Sequence, residues 1–167
     1  TAQHGLLYGK LIHDWGEELA GMYLEANRKA VEDYRELCKD IACGFETRDN
    51  YVYSRNAQGK LEKEIRALEK LHYGKACFSD ALGLPFSAVG AVRFPDQAQF
   101  HPLAFVREIV KGLRIYENTR IESVKGQTAK TAAGRTVTAQ KIIFATHFPI
   151  VNTHGFYFMK MYQERSY

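Results

Sequence analysis

Apolar residues recur along this chain with two different periods, and the change between them marks out its elements. After a polar, loop-like start, Thr1-Ala2-Gln3-His4-Gly5, a short helix is expected at about residues 6–15. A long helix then runs from Glu17 to Ile41. Its apolar positions, Leu19, Met22, Tyr23, Ala26, Ala30, Tyr34, Leu37, Cys38 and Ile41, recur in steps of three and four and form one stripe. Glu25, Arg28, Lys29, Glu32, Asp33, Glu36 and Lys39 form a solvated face opposite. Glu17 and Glu18 at its start and Lys39 near its end suit the helix dipole.

From Phe45 to Arg55 the period shortens to two, as in Tyr51-Val52-Tyr53-Ser54, and predicts a strand with a turn at Asp49-Asn50. Asn56-Ala57-Gln58-Gly59 turns the chain into a second helix, Lys60–Tyr73, with Leu61, Ile65, Leu68 and Leu71 on one side. Leu82 to Phe86 reads as irregular. Val89–Phe94 reads as a strand broken by Gly90 and ended by a turn at Pro95-Asp96. His101-Pro102 starts a helix reaching about Leu113, with His101 as its cap. Short strands are expected at 114–116, 120–125, 128–131, 136–138 and 141–145, turned at Gly126 and Ala133-Gly134. Residues 156–167 are aromatic and end as a strand. The sum is an α+β fold: a mixed, largely antiparallel sheet with packed helices, plus a small hairpin or three-stranded layer at 120–145.

Composition changes this picture little. Hydrophobic residues make up 46% and charged residues 25%, a globular balance that argues against a disordered tail. The longest apolar runs, Ile142–Ala145 and Phe156–Met159, are strand-sized, so no transmembrane segment is expected. Charge is uneven: −3 over residues 1–42 and +7 over 43–167. That asymmetry suits an anionic ligand, but without a Lys/Arg run a nucleic-acid partner is not expected. The three cysteines, Cys38, Cys43 and Cys77, have neither a disulfide-framework nor a zinc spacing. They suit a reducing, cytoplasmic location, and no metal is expected. A start without Met and an end inside a strand-like segment suggest an excerpt of a longer protein.

Self-contained catalytic motifs are missing: no GxSxG, P-loop, HExxH or GxGxxG occurs. The six histidines are scattered. Four segments nevertheless fall in an informative order. Gly90-Ala91-Val92-Arg93-Phe94-Pro95-Asp96-Gln97-Ala98-Gln99-Phe100-His101-Pro102 precedes a helix. Arg114 to Val124, containing Thr119-Arg120-Ile121, leads into a hairpin. Lys141-Ile142-Ile143-Phe144-Ala145-Thr146-His147 follows it. The fourth is Thr1–Tyr8. This order resembles the middle of the FAD-dependent oxidoreductases of the D-amino-acid oxidase, glycine oxidase and sarcosine oxidase type. The chain departs from that pattern at His147, where the family has a glycine that lets backbone approach the dinucleotide.

The resemblance implies a central fragment of an enzyme that oxidises an amine or amino acid by hydride transfer to FAD. It implies a division into residues 1–16 (flavin-proximal loop and short helix), 17–113 (substrate-domain portion), 114–150 (a β segment on the flavin-domain side) and 151–167 (the return to the substrate sheet). It implies cofactor contacts at Gln3, His4, Ile121, Ala145, Thr146 and His147. The family's Rossmann fingerprint is outside these residues, so the fragment alone is expected to be apo and inactive. Some relatives of this type also carry a Rieske iron–sulfur domain, whose Cys/His ligands do not occur here. Flavin chemistry needs no triad, in keeping with the missing motifs. For a small acid substrate, aromatic bulk and cationic groups are required, and Tyr51, Tyr53, Arg93, Gln163 and Arg165 are the candidates. Tyr51 and Tyr53 read equally as core or edge aromatics, and Arg93 and Arg165 as surface ion pairs. The other partner expected is the remainder of its own chain. Two rivals are a non-catalytic α+β binding module and a nucleic-acid binder using residues 43–167.

Overall fold

Gly16 settles the shape of the first helix. In the computed structural model, which describes residues 1–146, 148 and 150, helix α1 spans Tyr8–Leu37 and is interrupted at Gly16, with φ 85° and ψ 168°. Only glycine adopts that conformation without strain. The short and long helices expected from the sequence are therefore two limbs joined at this residue. The long limb stops at Leu37, with Cys38 as its C-cap, four residues before the expected end at Ile41.

The buried face of α1 is not the stripe that the periodicity picks out. Tyr8, Ala20, Leu24 and Val31 are buried, whereas Leu19 and Met22 are 51% and 62% exposed. Apolar residues span a wide arc of this helix, and its neighbours decide which part is covered. Helix α2, Gln58–Lys70, packs against α1 through Leu61, Ala67 and Leu68. It ends at Lys70 with Leu71 as its C-cap, and His72 turns the chain with φ 58°. The Tyr73 N–H returns to the Leu68 carbonyl at 2.9 Å, which brings the Tyr73 ring into the core.

Strands β1 (Glu46–Ser54), β2 (Cys77–Ser79) and β3 (Gly90–Gln99) form an antiparallel sheet in the order β1-β3-β2. The pattern missed β2, which is only three residues long. The turn expected at Asp49-Asn50 and the strand end expected at Pro95-Asp96 are two sides of one β-bulge. Arg48 pairs with Gln97 and Asn50 with Phe94, so Asp49 stands opposite two residues. A bulge accommodates the missing Pro95 N–H, and Asp96 takes φ 59°. The sheet continues instead of turning.

One face of the sheet meets the helices. Val92 and Phe94 are fully buried there with Leu24, Leu61 and Leu68. The Phe94 ring lies between Tyr73, at 4.5 Å, and Tyr8, at 6.4 Å, nearly parallel to both. A second cluster joins Cys38, Cys43 and Phe105 with Phe45 and Phe100. Phe105 comes from α3, Pro102–Ile109, whose start is capped by His101 Nδ1 accepting from the Ala104 N–H at 3.2 Å.

The chain divides into two compact units, residues 1–112 and 113–167. The described part of the second is an antiparallel meander, β4 (Ile121–Lys125), β5 (Thr128–Thr131) and β6 (Thr136–Thr138). The fold is thus α+β, with two small antiparallel sheets. Residues 114–116 and 141–145, expected as strands, pair with no strand among the described residues. An alternating apolar pattern does not make a strand without a ladder partner. No helix among the described residues is long and apolar enough to cross a membrane.

Burial of Cys38, with a hydrogen bond to Cys43, pushes its thiol from the ordinary 9.0 up to about 11. Burial likewise raises the Tyr8 hydroxyl, which donates to the Ala2 carbonyl, well above its ordinary 10.0. Both groups ionise more easily unfolded than folded. Their contribution to stability is full below about pH 9 and is lost as pH rises to about 11 and beyond. Urea midpoints are therefore expected to fall across that range, and Cys38→Val to reduce the fall. A flat alkaline profile would contradict this assignment.

Candidate functional site

The face of the first sheet turned away from the helices carries polar and aromatic side chains. Directly paired residues share a face, and residues two apart along a strand do so as well. Tyr51 pairs with Arg93, which pairs in turn with Cys77, giving one row across three strands. Tyr53, Ala91 and Ser79 form the next row. Tyr51 and Tyr53 are 45% and 46% exposed and lie on the edge strand β1, so they are edge aromatics and not core residues. The Phe86 ring leans on Tyr53 at 5.5 Å, and the Arg55 guanidinium lies 5.4 Å from the centre of Phe86. The sheet brings together three of the five substrate candidates, Tyr51, Tyr53 and Arg93. The other two, Gln163 and Arg165, lie outside the described residues.

Arg93 is an ion pair. Its Nε and Nη2 both reach Asp49 Oδ2 at 2.6 Å. Asp49 Oδ1 accepts from the Asp96 N–H at 3.3 Å. The bulge thus sets the acid beside the base. The hydrogen bond that Arg93 donates to Asp49, followed by the charge of Asp49, raises the Arg93 pKa above its ordinary value, so the group stays a cation.

The two flavin-proximal candidates at the chain start face different surroundings. Gln3 is buried, and neither its Nε2 nor its Oε1 has a hydrogen-bond partner. His4 is exposed; its Nε2 lies 3.3 Å from Asn27 Oδ1, at the rim of an apolar cavity of about 370 Å³ walled by Tyr34, Phe45 and Phe100. The stretch is held at several points. The Ala2 N–H donates to Gln97 Oε1 at 2.6 Å. The Glu64 carboxylate, buried on α2, accepts from the N–H groups of Leu7, Tyr8 and Gly9 at 2.7, 2.8 and 3.0 Å. An acid from a different helix therefore caps α1, which has no side-chain cap of its own.

In the second unit Ile121 and Thr146 line one cavity of about 310 Å³, with Ile142, Phe144 and Ile150. Ala145 lies beside Thr146 in the chain, and His147 is outside the described residues. A cavity of about 600 Å³ lies in the first unit beside α1 and the bulge. Its cations are already matched: Arg28 with Glu25, Lys29 with Asp33, Arg35 with Glu32 and Lys75 with Asp96. It is less suited to a charged ligand than its size suggests. No group of three His, Cys, Asp or Glu among the described residues is placed to hold a metal.

Sequence reasoning missed Asp49, Glu64, Arg55 and Phe86. Glu64 carried a faint signal, an acid at an inward position of an amphipathic helix. The others depend on pairing between distant segments.

An FAD-dependent oxidoreductase family model matches residues 5–165. The chain is 32% identical, over its whole length, to the Bacillus subtilis (strain 168) protein named "Putative Rieske 2Fe-2S iron-sulfur protein YhfW", of which it spans 35%. No solved structure matches it.

Proposed function

The chain belongs to the FAD-dependent oxidoreductase family, and from that premise we propose that it is the central part of an enzyme oxidising an amine or amino acid by hydride transfer to flavin. The observation that carries this reading is the buried Gln3 amide with both polar atoms unpartnered. A native interior rarely leaves such a group unmatched, because each missing hydrogen bond costs about 1–3 kcal/mol. A polar heterocycle beside Gln3 would supply the partners, so the residues present fit a flavin. When bound, FAD supplies the hydride acceptor.

In this reading Gln3 and His4 lie beside the flavin ring, while Ile121, Ala145, Thr146 and His147 serve the rest of the dinucleotide. The substrate candidates in this reading are Tyr51, Tyr53 and Arg93, with Gln163 and Arg165; the first three lie on the sheet face away from the helices, while the stretch holding Gln3 and His4 packs on the helix side. Residues 1–16, 17–113, 114–150 and 151–167 act as flavin-proximal, substrate, flavin-side and returning segments. The fragment alone is apo and inactive because no glycine-rich turn for the pyrophosphate lies within it. The complete enzyme is cytoplasmic and binds no nucleic acid.

The test uses the complete enzyme. It is expected to purify with stoichiometric FAD and to lose its oxidised-flavin absorbance when mixed anaerobically with a primary or N-methylated amine or amino acid. A complete chain with no flavin affinity would leave the non-catalytic binding module as the better reading. Gln3→Leu has opposite effects in the two states. Apoprotein stability should be unchanged or raised by about 1–2 kcal/mol, because an unmatched amide is removed. Holoenzyme should bind FAD more weakly, with an altered flavin spectrum. Loss of apoprotein stability with an unchanged spectrum would assign Gln3 to the scaffold instead.

A further inference from the structure

The apolar cavity of about 370 Å³ beside His4 lies between the long limb of α1 and the strand ends. Tyr34 of α1 walls one side, and Phe45, Ala98 and Phe100 wall the other. The rings brace one another. Phe100 stacks at 5.4 Å on Tyr34 and at 6.4 Å on Phe45, and meets the buried Phe105 edge-on at 5.4 Å. Rings packed in this way cannot fold inward to fill the space without giving up those contacts. The volume falls among those of small-molecule sites and exceeds the roughly 150 Å³ that holds a benzene molecule.

The mouth of the cavity carries His4 and Asn27, and the bonds around them settle which His4 nitrogen holds a proton. Asn27 Nδ2 donates to the Tyr23 carbonyl at 2.8 Å, one turn back along α1. That bond orients the amide, so Oδ1 is the atom lying 3.3 Å from His4 Nε2. An amide oxygen only accepts, so Nε2 is the donor. In a neutral imidazole the other nitrogen, Nδ1, is then an acceptor. His4 Nδ1 has no partner among the described residues. An aromatic-walled cavity with one acceptor at its mouth complements a flat apolar group that carries one donor. A carboxylate has no donor to offer it.

We propose that this cavity binds an aromatic ring bearing an N–H or O–H group, with the ring against Tyr34 and Phe100 and the donor on His4 Nδ1. The site rests on the cavity and on the His4 tautomer, not on the flavin reading. It lies on the helix side of the sheet, away from Tyr51, Tyr53 and Arg93.

Indole and 1-methylindole separate the donor from the ring. Calorimetry on the complete protein, at about pH 8 where an ordinary imidazole is neutral, is expected to show one saturable site for indole. His4→Phe keeps a ring at the mouth and removes the acceptor. It should weaken indole by about three- to tenfold, the scale of one neutral hydrogen bond, and change 1-methylindole by less than about twofold. Ala30 also lines the cavity and is exposed on α1, so Ala30→Phe can fill the space without disturbing the core. It should weaken both ligands alike, by at least about threefold. No saturable indole binding, an unaltered indole affinity in His4→Phe, or binding indifferent to Ala30→Phe would each overturn the proposal. Binding to flavin-free protein that FAD abolishes would assign the cavity to the flavin ring and overturn it as well. Where binding persists in holoenzyme, inhibition kinetics identify the source of the ring. Competition with the amine makes it the apolar end of the substrate, and any other pattern makes it a separate ligand. Indole binding with the expected His4 dependence in a protein that oxidises no amine would leave the site standing and remove the proposed reaction.

Discussion

Glu64→Leu is expected to destabilise the first unit by about 3–5 kcal/mol. Three N–H groups at the start of α1 converge on this one buried carboxylate, at 2.7, 2.8 and 3.0 Å. The Leu7 N-cap offers no side-chain acceptor in its place. Hydrogen bonds to a charged acceptor contribute about 1.5–3 kcal/mol each, and some of the loss is recovered if water reaches the exposed donors. Glu64→Gln keeps the shape and one acceptor oxygen, so it should cost about half as much. Urea denaturation of the complete protein, followed by a probe within residues 1–112, measures both. A cost below about 1 kcal/mol for the leucine variant would mean that the helix start is satisfied in some other way. The consequence reaches the site, because α1 begins directly after the stretch that holds Gln3. Slackening at Leu7–Gly9 should also loosen flavin binding.

Phe94→Ala should cost about 3–5 kcal/mol, the range for removing a fully buried phenylalanine whose surroundings relax only partly. Phe94 is inaccessible to solvent and lies between the rings of Tyr73 and Tyr8. Those tyrosines come from the end of α2 and the start of α1, so the cavity would separate three elements at once. Phe94→Leu refills most of the volume and should cost clearly less. Equal losses for the two variants would show that ring stacking, not filled volume, dominates. Phe94 is adjacent to Arg93, which points to the other face. The same backbone position therefore registers the core and the open face, and a shift of Phe94 should also disturb the Arg93–Asp49 pair.

Local rules made several elements legible. Gly16 separates two helical patterns because only glycine takes its backbone conformation easily. His101-Pro102 starts α3 because proline fits the first helical turn and a side-chain acceptor caps it. Gly126 and Gly134 turn the second sheet with φ 55° and 76°. The order of four motif segments pointed to the family that the model match over residues 5–165 shows. The face of α1 that is buried was not legible, since apolar residues cover more of its circumference than its neighbours can bury.

The bulge shows the same division on a smaller scale. Read locally, Asp49-Asn50 and Pro95-Asp96 are each turn sequences, and nothing in either segment announces the other. Once β1 and β3 pair, they become one irregularity in a continuous ladder. That pairing places Asp49 on Arg93 and changes an apparently free cation into a neutralised one. By itself, then, the sequence determined the helical segments and the glycine turns, the α+β class and the family, because helical period, turn chemistry and motif order depend on neighbours along the chain. Only the tertiary structure decided which helix face is covered, that Glu64 caps a helix it does not belong to, and that Asp49 balances the charge of Arg93. Those outcomes depend on contacts between residues tens of positions apart, whose energies no local window contains.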